Sequence, residues 1–167
     1  METGIIIAVC IVAVYFFFIK KKSAEPKGSP EHARAFKNFR ESHSAMFQGN
    51  YGHFRSKIVD SAEKVFFEKI YDKEKHKNPE ADVLFTIFYA ICGNLSSFGK
   101  YNMPKDIGTT AFLLIDDAQQ FGSDILSEML QKKIINMREF DHMGRMLLDS
   151  SLKAAGTNLD TMFGKPH

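Results

Sequence analysis

Three observations predict an all-α protein, with an N-terminal single transmembrane helix followed by a cytosolic bundle of five or six helices. An uncharged run over residues 4–19 is closed by Lys20, Lys21 and Lys22. Beyond it, apolar residues recur three and four positions apart, the spacing of one helix face. The stretches between those segments carry helix caps instead of hairpin turns. The implied layout is an anchor over residues 1–22, a flexible linker over 23–30 and a helical domain over 31–167.

The anchor rests on its flanks. Residues 1–3 (Met-Glu-Thr) offer no basic start, and Phe16-Phe17-Phe18-Ile19-Lys20 stands where signal cleavage would need small side chains, so a removed secretory signal does not fit. Ile7-Ala8-Val9-Cys10 is a poor lipobox, with Val9 where a small residue is wanted. The sixteen residues make about 24 Å of helix against a hydrocarbon core of roughly 30 Å. Lysines that snorkel to the headgroups, with Tyr15 and the phenylalanines near the interface, close that gap. Since no Lys or Arg precedes the run and three follow it, the positive-inside rule places the N-terminus outside and the C-terminal domain in the cytoplasm.

Composition narrows the function classes. With 44% hydrophobic and 25% charged residues the remaining chain can build a core, so disorder does not fit. The net charge of +2 comes from the lysine triplet, because residues 23–167 hold 19 basic against 19 acidic side chains. A neutral domain lacks the basic excess that phosphate neutralisation demands, which argues against nucleic acid. One local excess remains over residues 20–57, with nine basic against three acidic side chains, a juxtamembrane segment suited to anionic lipid. The only cysteines, Cys10 and Cys92, both lie in apolar runs, so neither a disulfide framework nor a paired-cysteine zinc site is expected.

The linker Ser23-Ala24-Glu25-Pro26-Lys27-Gly28-Ser29-Pro30 has tether composition. A first helix starts at Pro30-Glu31 and carries Ala33, Phe36, Phe39, His43, Met46 and Phe47 on its apolar faces up to Gly49. A second places Phe54, Ile58, Ala62, Val65, Phe66 and Ile70 on one side. Asn78-Pro79-Glu80 joins a capping residue, proline at the first helical position and an acid facing the macrodipole, so a third helix starts there. Its centre, residues 83–92, is apolar all round, as befits the middle of a bundle, and a buried strand is the competing reading. A fourth segment over residues 105–121 is expected to break at Gly122-Ser123-Asp124. The fifth then shows Ile125, Leu126, Met129, Leu130 and Ile134 on one face. The last, over 136–155, turns Met137, Phe140, Met143, Leu147 and Leu148 inward, with Gly156 as its C-cap.

No motif names a reaction. Glu139 and His142, three apart on a helix, share a side and could hold a metal, as in di-iron bundles, but such a site needs a second Glu-x-x-His and further inward carboxylates. This chain has no other Glu-x-x-His. Asp116 and Asp117 are unusual directly after Leu113-Leu114-Ile115: a carboxylate buried there needs a Lys, an Arg or a cation as partner. His43 on an apolar face reads as a hydrogen-bonded boundary residue, and His32, His53 and His76 lie near helix ends without metal spacing. Residues 93–100 have five residues between glycines, and Tyr101 stands where a phosphate loop needs Ser or Thr, so a helix end fits better.

Met129, Met137, Met143, Met146 and Met162 suit a core or an adaptable binding surface. In the tail, Leu159, Met162 and Phe163 offer an apolar face to the bundle or to a partner. The expectation is therefore a membrane-anchored protein-interaction module, an adaptor or scaffold, with a lipid bilayer and a protein as partners and no cofactor. Homo-oligomerisation is left open. The rival is a membrane-tethered metal-dependent enzyme using Glu139, His142, Asp116 and Asp117.

Overall fold

A computed structural model describes residues 29–98 and 108–156. Among them every regular element is helical: α1 (Pro30–Ser42), a 3₁₀ turn (Ser44–Phe47), α2 (Gly52–Val65) running into a π turn (Phe66–Ile70), α3 (Pro79–Phe98), α4 (Gly108–Gln131) and α5 (Met137–Ala154). None of these helices is long and apolar enough to cross a membrane. The expected anchor with Lys20, Lys21 and Lys22, and the tail residues Leu159, Met162 and Phe163, lie outside the described residues.

The run over residues 83–92 is a helix, and α3 packs against all four of the others. Val83, Leu84, Ile87, Phe88, Ile91, Cys92 and Leu95 are buried along it. The starting signal reads correctly: the Asn78 side chain accepts from the Ala81 N–H at 3.2 Å. Phe88 of α3 and, around it, Phe36, Phe66 and Phe121 are fully buried. Each such ring stabilises the fold by about 1.5–3 kcal/mol before conformational entropy is counted.

Ser29 and Pro30, the end of the expected linker, are the N-cap and first residue of α1. That helix stops at Ser42, earlier than its apolar pattern suggests, because His43 leaves helical geometry and Met46 and Phe47 reach the core from the 3₁₀ turn. In the second helix Val65 and Ile70 are exposed, although the pattern turns them inward. The Tyr71 N–H bonds to the Phe66 carbonyl at 2.8 Å, one residue beyond α-helical reach. This wider turn rotates the following residues, so Phe66 stays inside while Ile70 swings out.

The expected break at Gly122 does not occur: α4 is continuous through Gly122-Ser123-Asp124. Gly122 serves packing. A Cβ there would lie 2.7 Å from Leu147 Cδ1 and 2.9 Å from Cδ2, so the missing side chain lets α5 seat Leu147 against the α4 backbone. The helix ends later, where Lys133 takes φ 56° and the Ile134 N–H returns to the Met129 carbonyl at 2.9 Å. Helix α5 begins with a full capping box between Asn136 and Glu139 and is followed by Gly156 at φ 80°. Met137, expected inside, is exposed.

Candidate functional site

A concavity of about 420 Å³ lies between α1, the start of α3 and the end of α4. Phe39, Val83 and Leu84 form its apolar floor, and Arg34 and Asn38 of α1 face Asn78, Glu80 and Lys132 across it. Glu128 is the pivot. His43 Nε2 donates to its Oε2 at 2.9 Å, and the Lys132 ammonium donates to its Oε1 at 2.6 Å and also to Glu80. The His43 ring stacks on Phe39 with centroids 4.4 Å apart, and its Nδ1 sits 2.9 Å from the Phe39 carbonyl oxygen.

These contacts set the charge state of the cleft. Burial would lower the Lys132 pKa, but the hydrogen bonds and charges of Glu128 and Glu80 outweigh it and raise the ammonium above its ordinary value. A lysine held charged is neither nucleophile nor general base near neutral pH. The network therefore ties α1 and α3 to the end of α4 and fixes the width of the cleft. Arg34, by contrast, is exposed and has no ion pair among the described residues.

The four residues of the metal reading are not brought together. Asp117 is buried and held by Arg55 of α2: Nε donates to Oδ1 at 3.2 Å and to Oδ2 at 3.1 Å, and Nη2 donates to Oδ1 at 2.5 Å. The hydrogen bonds to Asp117 are the largest influence on Arg55 and raise its pKa, while its burial acts the other way. The guanidinium also lies 5.5 Å above the Phe121 ring. Asp116, one residue earlier, faces solvent. Glu139 accepts from the Asn136 N–H at 2.8 Å in the capping box, and His142 is exposed. Among the described residues no three His, Cys, Asp or Glu side chains are grouped to hold a metal ion.

Sequence reasoning passed over His32, which is only 1% exposed. Its Nε2 donates to Asp82 Oδ2 at 3.0 Å, which leaves Nδ1 to accept the Ser29 hydroxyl at 2.6 Å. Ser29, His32 and Asp82 thus follow the order of a hydrolytic triad with the two ring nitrogens exchanged. Phe66 and Tyr71 cover the imidazole, with centroids 5.1 and 5.2 Å away, so the set clamps the start of α1 onto α3. The local signal was Ser29-Pro30-x-His32, an N-cap and N1 proline with His at the third position, where a capping box has Glu or Gln.

Compared with family models, curated proteins and solved structures, the chain matches none.

Proposed function

We propose that the chain is a membrane-tethered docking module whose α1/α3/α4 cleft receives a short amphipathic segment of a protein partner at the cytoplasmic face. The observation that carries this reading is the internal pairing of the cleft. Lys132 is paired with both Glu128 and Glu80, and His43 hydrogen-bonds Glu128, so the walls are preorganised and these groups are engaged with one another. What stays available is the exposed pair Arg34 and Asn38, beside a floor lined by the largely buried Phe39, Val83 and Leu84. An apolar side chain would rest on that floor, with a neighbouring carboxylate on Arg34. The tether is the run over residues 4–19 with its lysine triplet.

Two measurements on the full chain in its native membrane test the two halves of the proposal. Alkaline extraction should leave the protein with the bilayer, and release into the soluble fraction would overturn the anchor. A photo-crosslinking residue at Arg34 or Asn38 should give one discrete heteromeric adduct that is absent when the probe is at Lys153 on α5. A second chain with the Asn38 probe and Arg34→Glu should lose that adduct. Adducts that are equal at all three probe sites would overturn the cleft as the docking face.

A further inference from the structure

A second concavity, of about 460 Å³, runs between α2 and α3 on a surface the cleft does not share. It is lined by the small residues Ala62 of α2 and Ala90 and Gly93 of α3, by the large apolar Val65, Ile70 and Tyr89, and by the polar Ser61, Thr86, Asn94 and Ser97. Tyr89 is 52% exposed although it lies in the most apolar helix of the bundle, and Val65 and Ile70 are exposed beside it. The small residues let another helix approach closely, and the large apolar ones give it surface to bury.

The charge beside this groove has a definite sign. Along α2 the acids Asp60 and Glu63 are both taken by Arg40, at 2.9 and 2.6 Å. Lys57 and Lys64, which flank the groove residue Ser61 on its helical stripe, are exposed and have no ion pair among the described residues. Beyond them Glu68 and Lys69 cancel. The single Arg40 charge offsets only one of the two acids, so with Lys57 and Lys64 the α2 wall keeps a small positive excess. The groove fits an apolar helical ridge bearing a carboxylate.

The chain itself carries such a ridge. On the first half of α4, Phe112 is 59% exposed and Leu113 is 48% exposed, two adjacent large apolar side chains turned outward. One turn further on, Asp116 faces solvent and has no ion pair among the described residues. Asp116 lies three and four positions from Leu113 and Phe112, so the carboxylate and the two apolar side chains share one helical face.

We propose that the occupant of the α2/α3 groove is the α4 ridge of a second copy of this chain, with Phe112 and Leu113 seated between Val65, Ile70 and Tyr89 and with Asp116 placed against Lys57 or Lys64. In the two-fold dimer proposed, each copy supplies one ridge and one groove and the contact forms twice. The inference does not depend on the cleft or on its partner.

Sedimentation equilibrium of the full chain in density-matched detergent tests it. The wild-type chain should be a concentration-dependent dimer. Phe112→Glu should weaken it about thirty-fold, the loss expected when a central aromatic anchor is removed. Asp116→Lys and the double substitution Lys57→Glu/Lys64→Glu should each weaken it about five- to tenfold, and the three together should restore it, because the charge pair is then reversed. Circular dichroism of each variant checks that the fold is kept. A chain that stays monomeric at every concentration overturns the proposal. So does a dimer indifferent to Phe112→Glu, which would place self-association in the anchor or on another face.

Discussion

Arg55 and Asp117 join α2 to α4 through three charge-assisted hydrogen bonds in a site from which Asp117 is almost wholly withdrawn from water. Removing one partner strands the other, which costs roughly 3–5 kcal/mol, whereas replacing both with apolar residues of similar volume is often close to neutral. Asp117→Ala is therefore expected to lower stability by that amount in urea unfolding followed by helical circular dichroism. Arg55→Met/Asp117→Leu should recover most of the loss. Asp116→Ala, at the exposed neighbour, should stay within about 0.5 kcal/mol of wild type. Equal losses at Asp116 and Asp117 would contradict the assignment.

Two glycines in helix interiors should respond with opposite signs. Nothing lies within 4 Å of a Cβ built at Gly144 in α5, so Gly144→Ala gains helix propensity freely and should stabilise by about 0.5–1 kcal/mol. At Gly122 the same propensity gain meets Leu147 at 2.7 Å in a packed interface. Overpacking there costs about 1–3 kcal/mol, so Gly122→Ala should be the less stable variant by a similar margin. Unfolding midpoints of the two variants decide the matter, and a gain at Gly122 equal to that at Gly144 would show that Leu147 moves away at little cost.

Those glycines also show what a sequence can and cannot reveal. Asn78-Pro79-Glu80 and Gly156 read correctly because a cap is a local device: the residues that make it are neighbours in the chain. Gly122 misled because its role is set by Leu147 on another helix, and locally it is indistinguishable from a helix breaker. The π turn has no compositional mark, so Ile70 kept its apparent inward face. For the site, Asp117 was legible as a carboxylate that would need a partner if buried, while Arg55 as that partner was not. The cleft was legible only through His43, because Glu80, Glu128 and Lys132 look like ordinary surface charge until three helices bring them together.

Lys133 closes α4 in the left-handed region, at φ 56°, where a side chain costs energy that glycine avoids. The turn itself is sound, since the Ile134 and Ile135 N–H groups return to the Met129 carbonyl at 2.9 and 3.4 Å. Lys133 is exposed and has no ion pair among the described residues, so little is lost with its side chain. Lys133→Gly should therefore stabilise the chain by up to about 1 kcal/mol, read as a higher urea midpoint with an unchanged slope. A lower midpoint would mean that the lysine makes a contact outweighing its backbone strain.

Cys92 gives the fold a pH dependence at the alkaline end. Its burial on α3 pushes the thiol up to about 11 from an ordinary 9.0, although a hydrogen bond with Ser150 acts the other way. Between those values the unfolded chain has lost the thiol proton and the folded chain keeps it, so the folded state binds more protons and stability must fall as pH rises. The contribution is whole below pH 9 and declines by about 1.4 kcal/mol per pH unit towards 11. Lysines titrate in the same range, so the measurement is a difference. In a Cys10→Ser background, the stability advantage of the chain with Cys92 over Cys92→Ala should be constant from pH 7 to 8.5 and shrink by roughly 2 kcal/mol by pH 10.5. The lysine terms are common to both chains and cancel, which leaves the thiol. A gap that does not change with pH would mean that the thiolate is tolerated inside the bundle, and that Cys92 is less completely desolvated than its packing between α3 and α5 implies.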